Sequence, residues 1–306
     1  MAGSGLFPPD AALTRPASGA RWAEGPVWLP DRRAVRFSDI PNNRVLEYLV
    51  DTGDLDVYRA DAGYSNGRTL DLDGSVVECS HGARAVRRDR DGSVTTVVDS
   101  WRGHRLNSPN DVVVKSDRTV WFTDPAYGIS RMEEGNLGQT EYGDHFVFRY
   151  DPVTQDLDPV VIDVVMPNGL AFSPDESILY VADSSLDPPD REGPPLEACG
   201  HSIHAYDVVD GRRAKNGRPF VEVSPGLPDG IRVDVFGNVW TSSLDSVQVF
   251  SPSGQMLERV AVPEKVANLC FSDDGMLYIA ASTSLYGIRT NVTDAAAQHR
   301  TRDRSR

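Results

Sequence analysis

Residues 166–183, MPNGLAFSPDESILYVAD, hold the pattern that decides the fold. A polar residue, Asn168, leads a short run, NGLAF at 168–172; a turn with Asp175 follows, and then ILYVAD at 178–183. The second run combines β-branched and aromatic residues and has the length of an ordinary strand. The same unit recurs along the chain. EGPVW (24–28), NGRTL (66–70), NDVVV (110–114), DGIRV (229–233) and NLCFS (268–272) match the leading run. AVRFSD (34–39), SVVECS (75–80), TVWFTD (119–124), NVWTSS (238–243) and MLYIAA (276–281) match the second. The leading residues lie 39 to 61 positions apart, about 49 on average, within the ~40–50 residue period of propeller blades.

The internal spacing is tighter still. Asp31, Asp73 and Asp117 stand seven residues after Glu24, Asn66 and Asn110, as Asp175 does after Asn168. In the fifth unit that place is Phe236, followed by Gly237. The sixth is off by one, because aligning Phe271 with Phe172 puts Ala267 rather than Asn268 in the lead. Further strand-like segments follow, such as HFVFRYD (145–151), SIHAYDV (202–208) and SVQVFS (246–251), and no long amphipathic helix interrupts them. The pattern predicts an all-β fold: a six-bladed β-propeller with four-stranded blades around a central channel, one domain over residues 1–290. Residues 291–306, with four Arg among the last seven, read as a disordered C-terminal tail. Two long intervals, Ala126–Asp144 and Leu186–Gly200, read as insertions on the binding face.

Composition narrows the partners. With 31 Lys+Arg against 45 Asp+Glu the net charge is -14, which disfavours nucleic acid and anionic lipid and suits a small-molecule partner. No apolar stretch is long enough to cross a membrane. The N-terminus, MAGSGLFPPD, lacks the basic and apolar regions of a signal peptide. The three cysteines, Cys79, Cys199 and Cys270, are too far apart for a CxxC site and read as small buried hydrophobes. A cytoplasmic monomer or homodimer is the expectation.

In a propeller the innermost strand of each blade runs along the channel, so equivalent residues at its start form a ring. Here the ring holds Glu24, Asn66, Asn110, Asn168, Asp229 and, less regularly, Asn268. Any Asn-Gly or Asp-Gly alone reads as a turn. Two carboxylates with amides at equivalent positions read instead as an all-oxygen set for one divalent cation, Ca2+ first, then Mg2+ or Mn2+; Zn2+ normally recruits His or Cys.

EGPVW, SPNDVVV (108–114) with WFTDP (121–125), MPNGLAFSPDE (166–176) and LPDGIRVD (227–234) resemble the gluconolactonase and senescence marker protein (regucalcin) family. The resemblance runs from Trp22 to Ile288. NGRTLDLDG (66–74) and ECSHGARAVRR (78–88) bring it to the bacterial gluconolactonase branch. It implies a propeller that binds one divalent cation, usually Ca2+ with Mg2+, Mn2+ or Zn2+ as alternatives, through Glu24, Asn110, Asn168 and Asp229, with Asp229 catalytic. One departure is Ser108, where animal members carry Arg two residues before the Asn, so substrate contacts do not transfer from that branch.

The expected reaction is metal-dependent hydrolysis of a sugar lactone, glucono-1,5-lactone or a similar aldonolactone, with Asp229 as base to the attacking water. Asn66, His81, Asp124, Tyr127 and Asp183 are candidate substrate contacts, although His81 also reads as a hydrogen-bonded structural residue, and Asp124, Tyr127 and Asp183 as turn or cap residues. Ser108 and Ser173 lack a nucleophile elbow. The Trp residues 28, 121 and 240 read as blade-packing core. Two alternatives stand beside this reading: phosphotriester hydrolysis on the same site, and a calcium-binding propeller without catalysis. A metal-free propeller resembling strictosidine synthase is disfavoured by the four ligand-type residues.

Overall fold

Each repeat unit folds into one antiparallel four-stranded sheet, and six such sheets make a six-bladed β-propeller. The computed structural model describes residues 5–185 and 200–303. The innermost strands are Ala23–Leu29, Ser65–Leu70, Val112–Val114, Pro167–Phe172, Ile231–Val233 and Val266–Phe271. The second strands, among them Ala34–Asp39, Ile178–Asp183 and Met276–Ala281, fall on the second runs read from the sequence. Successive strands of a blade pair as neighbours, most of them through short turns; the long intervals 125–145 and 184–201 link the second and third strands of blades three and four. In the sixth blade the outermost strand is Thr14–Ser18, which pairs with Ser284–Arg289 and closes the ring.

Buried side chains on adjacent blades hold the sheets together. Trp121 and Trp240 are fully buried on the second strands of blades three and five. Each meets an aromatic on the next blade's inner strand edge-on: Trp121 with Phe172, and Trp240 with Phe271, both at 5.2 Å. Trp28 stacks on Tyr278 of the sixth blade at 6.0 Å. Blades one and two meet through an apolar cluster, Val27 and Leu29 with Leu70 and Val76, and also through charge. Arg68, wholly buried, donates to the Gly25 carbonyl at 2.8 Å and to Ser38 Oγ at 2.6 Å. Arg36–Glu47 and Arg59–Glu78 ion pairs flank it.

Two expectations need correction or restriction. Residues 291–300 are not a loose tail. Asn291 N donates to the Leu6 carbonyl, Ala295 N donates to the Val233 carbonyl, and Val292 is 4% exposed. The apolar residues Val292 and Ala295 dock this segment on the propeller, and a short helix, Ala297–Asp303, follows. The Leu186–Gly200 insertion falls, apart from Gly200, outside the described residues, as does Cys199; Cys79 and Cys270 are buried. Among the described residues no helix is long and apolar enough to cross a membrane.

Candidate metal centre and active site

The ring residues face the channel because the inner strands bulge where they begin. In blade one Glu24 pairs with Ser38, but the next pair is Val27 with Arg36, so the inner strand carries one extra residue. Blades two and four repeat this between Ser65 and Arg68 and between Pro167 and Leu170. A bulge of this kind turns a side chain out of the regular alternation. In blades three and five regular pairing starts only at Val112 and Ile231, after Asn110 and Asp229.

The glycines that follow the ring residues are therefore not hairpin turns. They allow one blade to touch the next. Gly67 N donates to the Asn110 carbonyl at 2.8 Å, and a Cβ on Gly67 would lie 2.6 Å from that oxygen. Gly169 N donates to the Asp229 carbonyl at 2.9 Å, against which a Cβ would also collide. The Asp229 carbonyl belongs to a fixed backbone, so Gly169→Ala is expected to destabilise by about 1–3 kcal/mol. Urea unfolding checks this, and a change within about 0.5 kcal/mol of wild type would show that the blades separate freely. Gly230 N bonds to the Ala267 carbonyl in the same way. Ala267 thus occupies the sixth ring position and contributes no donor. Asn268, one residue on, reaches sideways instead.

The ring surrounds a cavity of about 80 Å³, lined by Glu24, Asn66, Asn110, Asn168 and Asp229 together with Trp22, Tyr127, Arg131, Glu134, Leu227 and Lys265. Glu24 Oε1 accepts from Asn268 Nδ2 at 2.7 Å and from Gly25 N at 2.9 Å, while its Oε2 is buried without a hydrogen-bond partner. Asn66 Oδ1 is likewise buried and unpartnered. Burial pushes the Glu24 carboxyl well above its usual range, and the Asp229 charge adds to this. Burial raises Asp229 to about 7, with Lys265 pulling it back down and Asp111 pushing it further up. Glu24 is buried and Asp229 half-buried, and the Asp229 charge opposes ionisation of Glu24, so the pair favours a cation beside it. Among the described residues no three His, Cys, Asp or Glu side chains form a metal-holding group. The donors are two carboxylates and neutral amides, oxygen throughout, and they fit a hard divalent cation.

The predicted substrate contacts separate into two groups. Asn66 and Tyr127 line the cavity, the Tyr127 hydroxyl lying 3.5 Å from the Ser184 carbonyl. Asp124, Asp183 and His81 do not line it. Asp124 Oδ2 accepts from Asn107 N at 2.8 Å and from the Tyr142 hydroxyl, and burial raises its carboxyl to about 7. Asp183 Oδ1 accepts from Met166 N at 3.2 Å and Ser185 N at 3.0 Å. Asp39 does the same for Arg21 N and Trp22 N in blade one. The three form one repeated device: an Asp ending the second strand anchors the backbone two or three residues before a ring residue. Their carboxylates hold the backbone behind the ring and do not line the cavity. His81 lies behind Asn66, its Nε2 3.1 Å from Asn66 Nδ2.

Trp22, Leu227 and Lys265 were not singled out from the sequence, yet each stands two or three residues before its ring or near-ring residue, a register the repeat already contained. Arg131 and Glu134 come from the Ala126–Asp144 insertion and pair with each other at 3.1 Å. Ser108 holds that insertion down, donating to the Pro125 carbonyl at 2.6 Å and accepting from Gly128 N at 3.0 Å.

The geometry agrees with what the chain is similar to. The family model described as SMP-30/Gluconolactonase/LRE-like region matches residues 22–283. A gluconolactonase from Zymomonas mobilis is 32% identical over 297 residues, spanning 90% of this chain and 80% of its own. The pentonolactonase XacC of Haloferax volcanii is 30% identical, over 87% of this chain and 83% of its own. Among solved structures, a gluconolactonase from Xanthomonas campestris superposes with a TM-score of 0.85 at 35% identity, covering 94% and 91% of the two chains. A calcium-binding regucalcin from Agrobacterium tumefaciens shares the fold, with a TM-score of 0.74 at 15% identity over 96% and 97%. With the family model spanning most of its length and its ring residues converging on one cavity, the chain belongs to the SMP-30/gluconolactonase/LRE-like family.

Proposed function

We propose that the protein is a lactonase that opens an aldonolactone, such as glucono-1,5-lactone, to its acid, and that it works with one divalent cation, Ca2+ first, held by Glu24, Asn110, Asn168 and Asp229. The observation that carries this reading is the carboxylate pair of buried Glu24 and half-buried Asp229 lining one small cavity with three Asn side chains, with Glu24 Oε2 left without a partner. Relatives named gluconolactonase and pentonolactonase support the substrate class.

Hydrolysis requires a water oxygen to bond to the lactone carbonyl carbon, the bond to the ring oxygen to break, and the water's proton to be taken up and returned to that ring oxygen. Asp229 takes the proton from the attacking water. Its backbone is held by the Gly169 N–H and by Ser242 Oγ, 3.0 Å from Asp229 N, and its carboxylate is hydrogen-bonded by Asn168. A bound cation supplies positive charge for the oxyanion that develops on the carbonyl oxygen. Asn66, Tyr127 and the Arg131–Glu134 pair meet the sugar hydroxyls. Lys265, whose ammonium lies 5.3 Å from the centre of the Trp22 ring, places a cation on the wall that receives the carboxylate being formed.

The test is a pH-stat assay on glucono-1,5-lactone, a pentonolactone and a phosphotriester, after exhaustive chelation and again after adding Ca2+, Mg2+, Mn2+ or Zn2+. Lactone turnover is expected to vanish with chelation and return with a cation. Turnover that survives chelation would remove the metal from the reading, and faster cleavage of the phosphotriester than of any lactone would replace the substrate class.

A further inference from the structure

We infer that His81 is a positioning residue that fixes the Asn66 amide with its carbonyl toward the cavity, making that wall a hydrogen-bond acceptor which selects lactones bearing a ring hydroxyl. This rests on the lactonase reading above and names a specificity device within it.

The argument begins with a backbone carbonyl. His81 is fully buried, and its Nδ1 lies 2.9 Å from the carbonyl oxygen of Glu134. A carbonyl only accepts, so Nδ1 must carry the proton. Burial holds the imidazole below its ordinary pKa, which keeps the ring neutral. A neutral ring protonated on Nδ1 has a bare lone pair on Nε2. Nε2 is 3.1 Å from the Asn66 side chain, so the Asn66 group facing it must be the NH2. The opposite orientation of the amide would set two acceptors against each other. Asn66 Oδ1 is thereby directed away from His81, and it is buried with no partner in the protein. Asn66 lines the cavity, so this oxygen is an acceptor awaiting a donor.

Packing makes the arrangement rigid. Residues 127–130 form a single helical turn over the imidazole, so close that a Cβ on Gly128 would overlap the His81 side chain. His81 N is also tied to the Tyr64 carbonyl at 3.1 Å. One imidazole therefore couples Asn66 in blade two to the insertion that carries Arg131 and Glu134. A site built around a fixed acceptor discriminates against an analogue without the matching hydroxyl, because the buried oxygen then stays unpaired.

The test compares glucono-1,5-lactone with δ-valerolactone, which has the ring ester but no hydroxyls. In wild type the first is preferred. In His81→Phe and in Asn66→Ala the ratio of kcat/KM values, hydroxylated over bare, is expected to fall about tenfold, the equivalent of one buried hydrogen bond, and the change lies in KM for the hydroxylated substrate. Adding His81→Phe to Asn66→Ala lowers the ratio no further, because His81 acts through Asn66. An equal loss on both substrates would make His81 merely structural and overturn the inference. So would a tenfold loss of Ca2+ affinity in Asn66→Ala, which would make Asn66 a cation ligand. Nitrogen-15 spectra of the His81 imidazole give a reading independent of turnover: a proton on Nδ1 is expected, and a proton on Nε2 overturns the inference. If wild type hydrolyses no lactone while Nδ1 carries the proton, the lactonase reading falls and the amide orientation stands.

Discussion

Replacing Asp229 with Asn is expected to lower kcat/KM for glucono-1,5-lactone by roughly 10²–10⁴-fold, the range associated with loss of a positioned acid or base. The substitution is nearly isosteric. It keeps one side-chain oxygen at the hub and leaves the backbone contacts of residue 229 with Gly169 and Ser242 in place. It removes the proposed base and one of the two carboxylates among the ring residues. The comparison with Asp183→Asn is informative, because Asp183 is buried and conserves its hydrogen bonds to Met166 N and Ser185 N through one side-chain oxygen, which the amide retains. That variant is expected to lose less than tenfold. Cation binding measured beside activity separates two causes: a folded Asp229→Asn protein that still binds Ca2+ but does not turn over has lost the base. Activity above about one-tenth of wild type would remove Asp229 from the chemistry.

Much of this architecture was legible in one sequence because a propeller repeats its constraints. Asp39, Asp124 and Asp183 end equivalent strands, and the spacing to Glu24, Asn110 and Asn168 is nearly constant, so the ring could be drawn before any coordinate. Three things were not legible. The first is the meaning of the Asn-Gly and Asp-Gly pairs: a dipeptide suited to a hairpin serves here as a bulge and a blade contact, and the difference depends on a neighbouring strand remote in sequence. The second is ring closure. Thr14–Ser18, with Pro16 in its middle, shows no apolar alternation, since an outermost strand meets solvent and tolerates proline. The third is the division between Asp229, which lines the cavity, and Asp124 or Asp183, which stand behind it. All three are acids beside a ring strand, and only the fold shows that Asp229 is half-buried at the cavity while the other two are buried behind it. Composition misled at the C-terminus, where the Arg-rich end concealed the two apolar anchors Val292 and Ala295.

Cation binding at the hub is expected to be strongly pH-dependent, and so is the stability it confers. Without the cation, Glu24 lies well above its reference value of 4.5 and Asp229 is raised from 3.8 to about 7, burial being the leading cause for both. An acid whose folded pKa exceeds its unfolded one stabilises the fold fully below the unfolded value, and that contribution is lost as pH rises through the folded value. The chelated protein therefore weakens as pH climbs from about 4 through 7 and beyond. A divalent cation needs both carboxylates ionised, so it competes with protons below neutrality and binds more tightly as pH rises. Asp124 shifts in the same direction but belongs to neither the cavity nor its donors, so its contribution cancels when loaded and chelated samples are compared at one pH. The thermal gain on adding Ca2+ should be close to zero at pH 5. At pH 8, with Ca2+ at a hundred times Kd, it should reach about 2.7 kcal/mol, near 5 °C at roughly 2 °C per kcal/mol for a chain of this size. Calorimetric titration in buffers of different ionisation enthalpy should show proton release on binding that diminishes toward pH 8, and less of it in Asp229→Asn. A thermal gain that does not change between pH 5 and pH 8, or binding without proton release at pH 6, would mean that the cation is not held by this carboxylate pair.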